Sequence, residues 1–164
     1  MTDMSDAEDL STQLWQERGI LEMLLFKLEE AHVLLATGRH HWLQHATSEV
    51  SQVLAALSAA EDRRARIGSD VALSCGLSPD ATLANLAAEL PEPWGEIMSR
   101  HREALLSNLK RVQAVASTNR EILRRSLSAT TDALAVLGGG EPGYQADGST
   151  VISGHTARLV DASI

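Results

Sequence analysis

Two histidines one helical turn apart, His41 and His45, are followed at the same spacing by Glu49. These are the first residues in the chain whose types and positions could do chemistry. Imidazoles at i and i+4 on a helix can share a metal ion, and a carboxylate one turn on could supply a third ligand. The zinc-protease arrangement, however, needs a glutamate directly after the first histidine, and Trp42 holds that position. Neither a cysteine nor a further acid flanks the set, so the expectation is no bound metal.

Other chemistries fare no better. Helical phosphotransfer domains place Lys-Gly closely after their reactive histidine, and none of the six histidines has that neighbour. No serine or cysteine nucleophile stands beside a base in the pattern, and no glycine loop lies between strand and helix to cradle a phosphate. The sequence therefore predicts a protein that is not an enzyme and holds no cofactor. What remains is binding, and the elements decide what could be bound.

Apolar residues make up 44% of the chain but aromatics only 3%, so Leu, Ala and Val must fill the core. That mixture suits helices packed on helices better than sheets, which favour β-branched and aromatic residues. A net charge of −8 argues against a nucleic-acid surface. The basic clusters Arg63, Arg64, Arg66 and Arg120, Arg124, Arg125 lack interleaved aromatics and read as solvated helix faces. The single cysteine, Cys75, gives no internal disulfide framework and fits a reducing compartment. The opening MTDMSDAEDL is acidic where a signal peptide would be basic and then apolar, and no apolar run reaches the ~20 residues of a membrane span. A cytoplasmic location without membrane insertion is expected.

Leu14, Leu21, Leu28 and Leu35 recur every seven residues, widened by Leu24, Leu25 and Ala31, which predicts a helix over about 10–36. Thr37-Gly38 should end it. A second pattern, about 40–67, runs through Trp42, Ala46, Val50, Val53, Leu57, Ala60 and Ile67, with arginines in its last turn and Gly68 as its stop. The short connection makes the pair an antiparallel hairpin. Ser78-Pro79 reads as the start of a short helix, about 79–90. Pro93 opens the longest pattern, about 93–137, with its seam at Met98, Leu105, Leu109, Val112, Ala116, Leu123, Leu127, Leu134 and Leu137. Asn119 interrupts that seam, either fixing register as a polar core residue or lying where the seam is exposed. The expected fold is all-α, an antiparallel hairpin plus a long third helix in one helical domain over 1–137, with a flexible tail over 138–164.

Length then becomes an argument. At 1.5 Å per residue, hairpin helices of roughly 27 residues span about 40 Å and a helix of 45 about 66 Å. The hairpin cannot cover the last helix, so part of the seam needs another partner, either a second copy in a homodimer or a client protein. Leu123 and Leu127, with Leu134 and Leu137 beyond them, are the candidate contacts. The tail adds one more. Tyr144, the single tyrosine, follows GGGEPG, a stretch costly to order. A tyrosine there suits a docking role, offering a rigid ring and one hydroxyl.

The order of these features resembles the FlgN family of flagellar export chaperones over about residues 10–148. The resemblance rests on LEMLLFKLEEAHVLLATGRHHWL, GLSPDATLANLAAELP, the asparagine and following leucines of STNREILRRSL, and a Tyr-x-x-x-Gly tail in GYQADG. STNR holds one asparagine where many members show a pair, and residues 149–164 extend past the family's usual end. The resemblance implies binding of the C-terminal helical segments of the first and third hook-associated proteins, which are kept from associating early and delivered to the export gate. It adds Asn119 to the client-binding set and Gly148 to Tyr144 as the gate-docking pair. The rival reading is a homodimeric coiled-coil protein, structural or regulatory, without export clients.

Overall fold

The computed structural model describes residues 4–137. Their regular structure is helical throughout: α1 (Met4–Ala36), a 3-10 turn (His40–Trp42), α2 (Leu43–Ser74), a short α3 (Leu83–Glu89) and α4 (Trp94–Leu137).

α1 and α2 form the antiparallel hairpin that the leucine spacing requires. Leu14, Leu21 and Leu35 are buried and Leu28 is packed against the same core. Each fully buried leucine is worth about 1.5–3 kcal/mol relative to an exposed one. Polar contacts fix the direction. Gln13 donates to the Ala60 carbonyl at 3.1 Å, Arg64 Nε donates to Glu17 at 2.8 Å, and toward the other end Lys27 pairs with Glu49 at 2.9 Å. Burial pushes the Glu17 carboxyl up from its ordinary range, while the Arg64 guanidinium pulls it down.

Several boundaries differ from the sequence expectation, each for an identifiable reason. α1 starts at Met4 rather than near residue 10, and Ala7 is buried in the added turns. α2 does not stop at Gly68 but continues to Ser74. A glycine inside a helix costs about 1 kcal/mol, and the continuation buries Val71 and Ala72 completely. The glycine that ends α2 is Gly76, with φ 73°: Gly76 N–H donates to Leu73 O and Leu77 N–H to Ala72 O. Gly38, with φ 69°, closes α1 with the same pair of bonds. Arg63 and Arg64 thus lie inside α2 and reach across to Gln13 and Glu17 instead of capping a terminus. α3 begins after Thr82 rather than at Pro79. Thr82 Oγ1 accepts from the Asn85 N–H and Asn85 Oδ1 accepts from the Thr82 N–H, a capping box, whereas the Ser78 hydroxyl turns to Asp80. Trp42 belongs to the 3-10 turn and is half exposed, so it is not part of the hairpin seam.

α4 runs parallel to α1, because α2 returns the chain to the end of the bundle where α1 began and the short segment through α3 turns it there into α4. Ser11 meets His101 at one level, and Leu28 and His32 meet Asn119 about five turns further along both helices. α2 and α4 both pack closely on α1, without a close backbone approach to each other, and side chains of all three helices share one core. α1 is therefore the central helix, with one close neighbour on each of two sides.

Candidate functional site

α4 keeps one apolar face along its length, but its cover changes. Met98 and Leu105 are fully buried and Leu109 and Val112 pack on the same core. Partners on α1 lie 87 to 91 positions earlier in the chain. At that offset Ala36, the end of α1, lies level with about residue 125, and the remaining dozen residues of α4 project about 18 Å further. The turns by which the hairpin exceeds its expected length lie at the opposite end, at 4–9 and 68–74, so they do not reach this projection. The 3-10 turn packs on α1 and α2 and not on α4.

Asn119 marks the border. It is 7% exposed, with Nδ2 donating to the Leu28 carbonyl at 2.9 Å and Oδ1 accepting from His32 Nδ1 at 2.9 Å. Its amide is therefore engaged within the α1–α4 contact, and the register reading describes its place. Beyond it the seam opens: Leu123 is 48% exposed, Leu127 and Leu134 are more open still, and Leu137 reaches 83%. Steps of four, seven and three residues keep these four leucines on one side of the helix. The structure thus brings Leu123, Leu127, Leu134 and Leu137 together and sets Asn119 at their base, buried. Tyr144 and Gly148, and the expected flexible tail, lie outside the described residues.

Charge at this end is organised around one carboxylate. Glu121 accepts from Arg124 at 3.0 Å and from Arg125 at 2.7 Å, and those bonds hold its pKa at about 2. Arg120 has no ion pair among the described residues, so the leucine face carries an uncompensated positive edge.

His41 and His45 are exposed, and their rings pack at 5.1 and 5.7 Å on Trp42 between them. Among the described residues no three His, Cys, Asp or Glu side chains are grouped to hold a metal ion. No described helix is long and apolar enough to cross a membrane.

Sequence reasoning missed a second apolar surface. Trp15, Met23, Phe26 and Val33 on α1 are all exposed. A signal was available, since all four fall outside the Leu14–Leu35 stripe that the core uses. Beside them a groove of about 690 Å³ runs between α1 and α2.

The family model described as FlgN protein matches residues 1–152. No curated protein and no solved structure matches the chain.

Proposed function

The chain belongs to the FlgN family of flagellar export chaperones, and from that premise we propose that it receives helical segments of hook-associated proteins on the uncovered face of α4. The carrying observation is the row Leu123, Leu127, Leu134 and Leu137, which opens at the end of α1 and runs beyond it. An amphipathic helix laid against that row would bury apolar surface on both partners, which is the helix-in-groove mode of recognition. Asn119 acts one step back: by tying α1 to α4 it fixes where the cover ends and the client contact begins. The clients are the first and third hook-associated proteins, bound in the cytoplasm through their C-terminal helical segments. Tyr144, with Gly148, is the contact that docks the loaded chaperone on the export gate.

The test measures two affinities on each variant. Leu123→Asp with Leu127→Asp should abolish binding of the hook-associated segments while the thermal midpoint moves by no more than a few degrees, because exposed positions contribute little to folding. Tyr144→Ala should leave client affinity unchanged and weaken binding to the export gate. Retained client binding by the double aspartate variant would place the client elsewhere. A chain that sediments as a dimer and becomes monomeric with the same two substitutions would favour self-association over a client.

A further inference from the structure

α1 is packed on two sides, and its outward side is not polar. Trp15 and Val33 are 18 positions apart, about five helical turns, so they fall on one line, with Phe26 about 20° from it. Trp15 is 60% exposed and Phe26 53%. Phe26 is the only phenylalanine and Trp15 one of three tryptophans. A chain this poor in aromatics has placed them in solvent on its central helix.

The anchor has neighbours on its edge and its face. The Trp15 ring meets His101 edge-on at 5.5 Å, and the Arg18 guanidinium sits 4.2 Å above its face. Large aromatics held in place before binding are the side chains that dominate interface energetics. Met23 carries the stripe into the groove between α1 and α2, whose walls include Ile20, Val53 and Ala56. Gly19 lines the same groove, and a side chain added there would meet nothing within 4 Å, so the groove is open above it.

Charge identifies the occupant. Glu22 and Glu29, seven residues apart on one edge of the stripe, make no ion pair among the described residues. Both cations of α1 are already engaged, Arg18 on Trp15 and Lys27 on Glu30 and Glu49. α1 as a whole carries seven acidic residues against two basic ones. We propose that the outward face of α1 docks an amphipathic helix of another protein, one with an apolar stripe bordered by Lys or Arg seven residues apart. Trp15 to Val33 spans about 27 Å, the length of roughly 18 helical residues. The border charges are opposite to the arginine edge of the α4 leucine face, so the two surfaces select different partners.

The probes are three synthetic helical peptides of about 18 residues, identical in their leucine stripe and carrying Lys, Gln or Glu along one border. Binding to the whole chain is read by fluorescence anisotropy. The lysine peptide should bind best and the glutamate peptide worst, about tenfold apart or more at low salt, with the gap narrowing as salt rises. Phe26→Ser, and separately Trp15→Gln, should weaken the lysine peptide about tenfold with the fold intact by circular dichroism. Glu22→Lys with Glu29→Lys should invert the order of the three peptides. Leu127→Asp should change nothing. Equal affinity for the three peptides, or loss of binding with Leu127→Asp, would overturn the proposal without touching the client reading of α4. A chain that sediments as a dimer and is made monomeric by Phe26→Ser would overturn it in favour of a second copy on this face.

Discussion

The two halves of α4 share a periodicity and differ in fate. From Met98 to Asn119 the seam is covered by α1, and from Leu123 to Leu137 the same kind of seam faces solvent. Nothing in the spacing of the leucines separates the halves. The difference is made elsewhere, by where α1 ends and by the parallel register in which Asn119 bonds to Leu28 and His32. An apolar residue is core or contact according to what its neighbours cover, and here the cover stops at a polar residue.

The comparison breaks most visibly with truncation to alanine. Leu21→Ala, in the covered half of the bundle, should lower the free energy of unfolding by about 2–5 kcal/mol, through lost burial and the cavity left behind. Leu127→Ala removes as many atoms and should fall within about 0.5 kcal/mol of the parent, as surface changes do. Urea denaturation of the two variants side by side measures both. Equal losses would mean that the end of α4 is covered in solution and that the contrast between its halves is false.

Much of this contrast was legible before the fold was known. The heptad leucines required a hairpin, and the inequality of helix lengths required an uncovered end on the last helix. What was not legible depends on contacts distant in sequence. Gly68 reads as a stop until Val71 and Ala72 are seen to be buried beyond it. Arg63 and Arg64 read as terminal charges until Gln13 and Glu17 appear opposite them. Ser78-Pro79 is a good helix start by local rules, but the Thr82–Asn85 box satisfies more backbone donors and wins. The outward face of α1 is less legible: Trp15, Phe26 and Val33 share a helical line, but they are spaced 11 and 7 residues apart, too sparse to stand out beside the denser leucine stripe.

Asn119 sharpens the comparison, with a smaller effect than Leu21. Asn119→Ala leaves His32 Nδ1 and the Leu28 carbonyl without their partner at a part-buried site and should cost about 1–3 kcal/mol. Asn119→Leu should cost less, since it restores apolar packing at a seam position, yet it removes the hydrogen bonds that tie α1 to α4 at the border. A disulfide-trapping or spin-label distance between α1 and the end of α4 should then broaden in the leucine variant while its stability holds. An unchanged distance distribution would show that register is set by the leucines alone.

The smallest effect lies at the foot of the covered half. His101 is buried on α4, accepting or donating at Nε2 with the Ser11 hydroxyl at 3.0 Å, with its Nδ1 unpartnered and Trp15 against its edge. Burial first, and then the nearby Arg18 charge, hold its pKa below the ordinary histidine value. The folded state therefore resists protonation that the unfolded state accepts. As pH falls through the ordinary histidine range the unfolded chain gains a proton that the folded one does not, and stability declines. The stabilisation is fully present above the unfolded pKa and is lost as pH drops toward the lower folded value. One proton allows a slope of at most about 1.4 kcal/mol per pH unit. His101→Gln retains a hydrogen-bonding group for Ser11 and removes the titration, so its stability should be flatter than the parent's between about pH 7 and pH 5. The exposed half of α4, which has no buried titrating group, should contribute nothing to that slope, and Leu127→Ala should track the parent at every pH. A parent curve no steeper than that of His101→Gln would mean that the histidine is solvated and that the covered half is less tightly closed than its contacts with Ser11 and Trp15 imply.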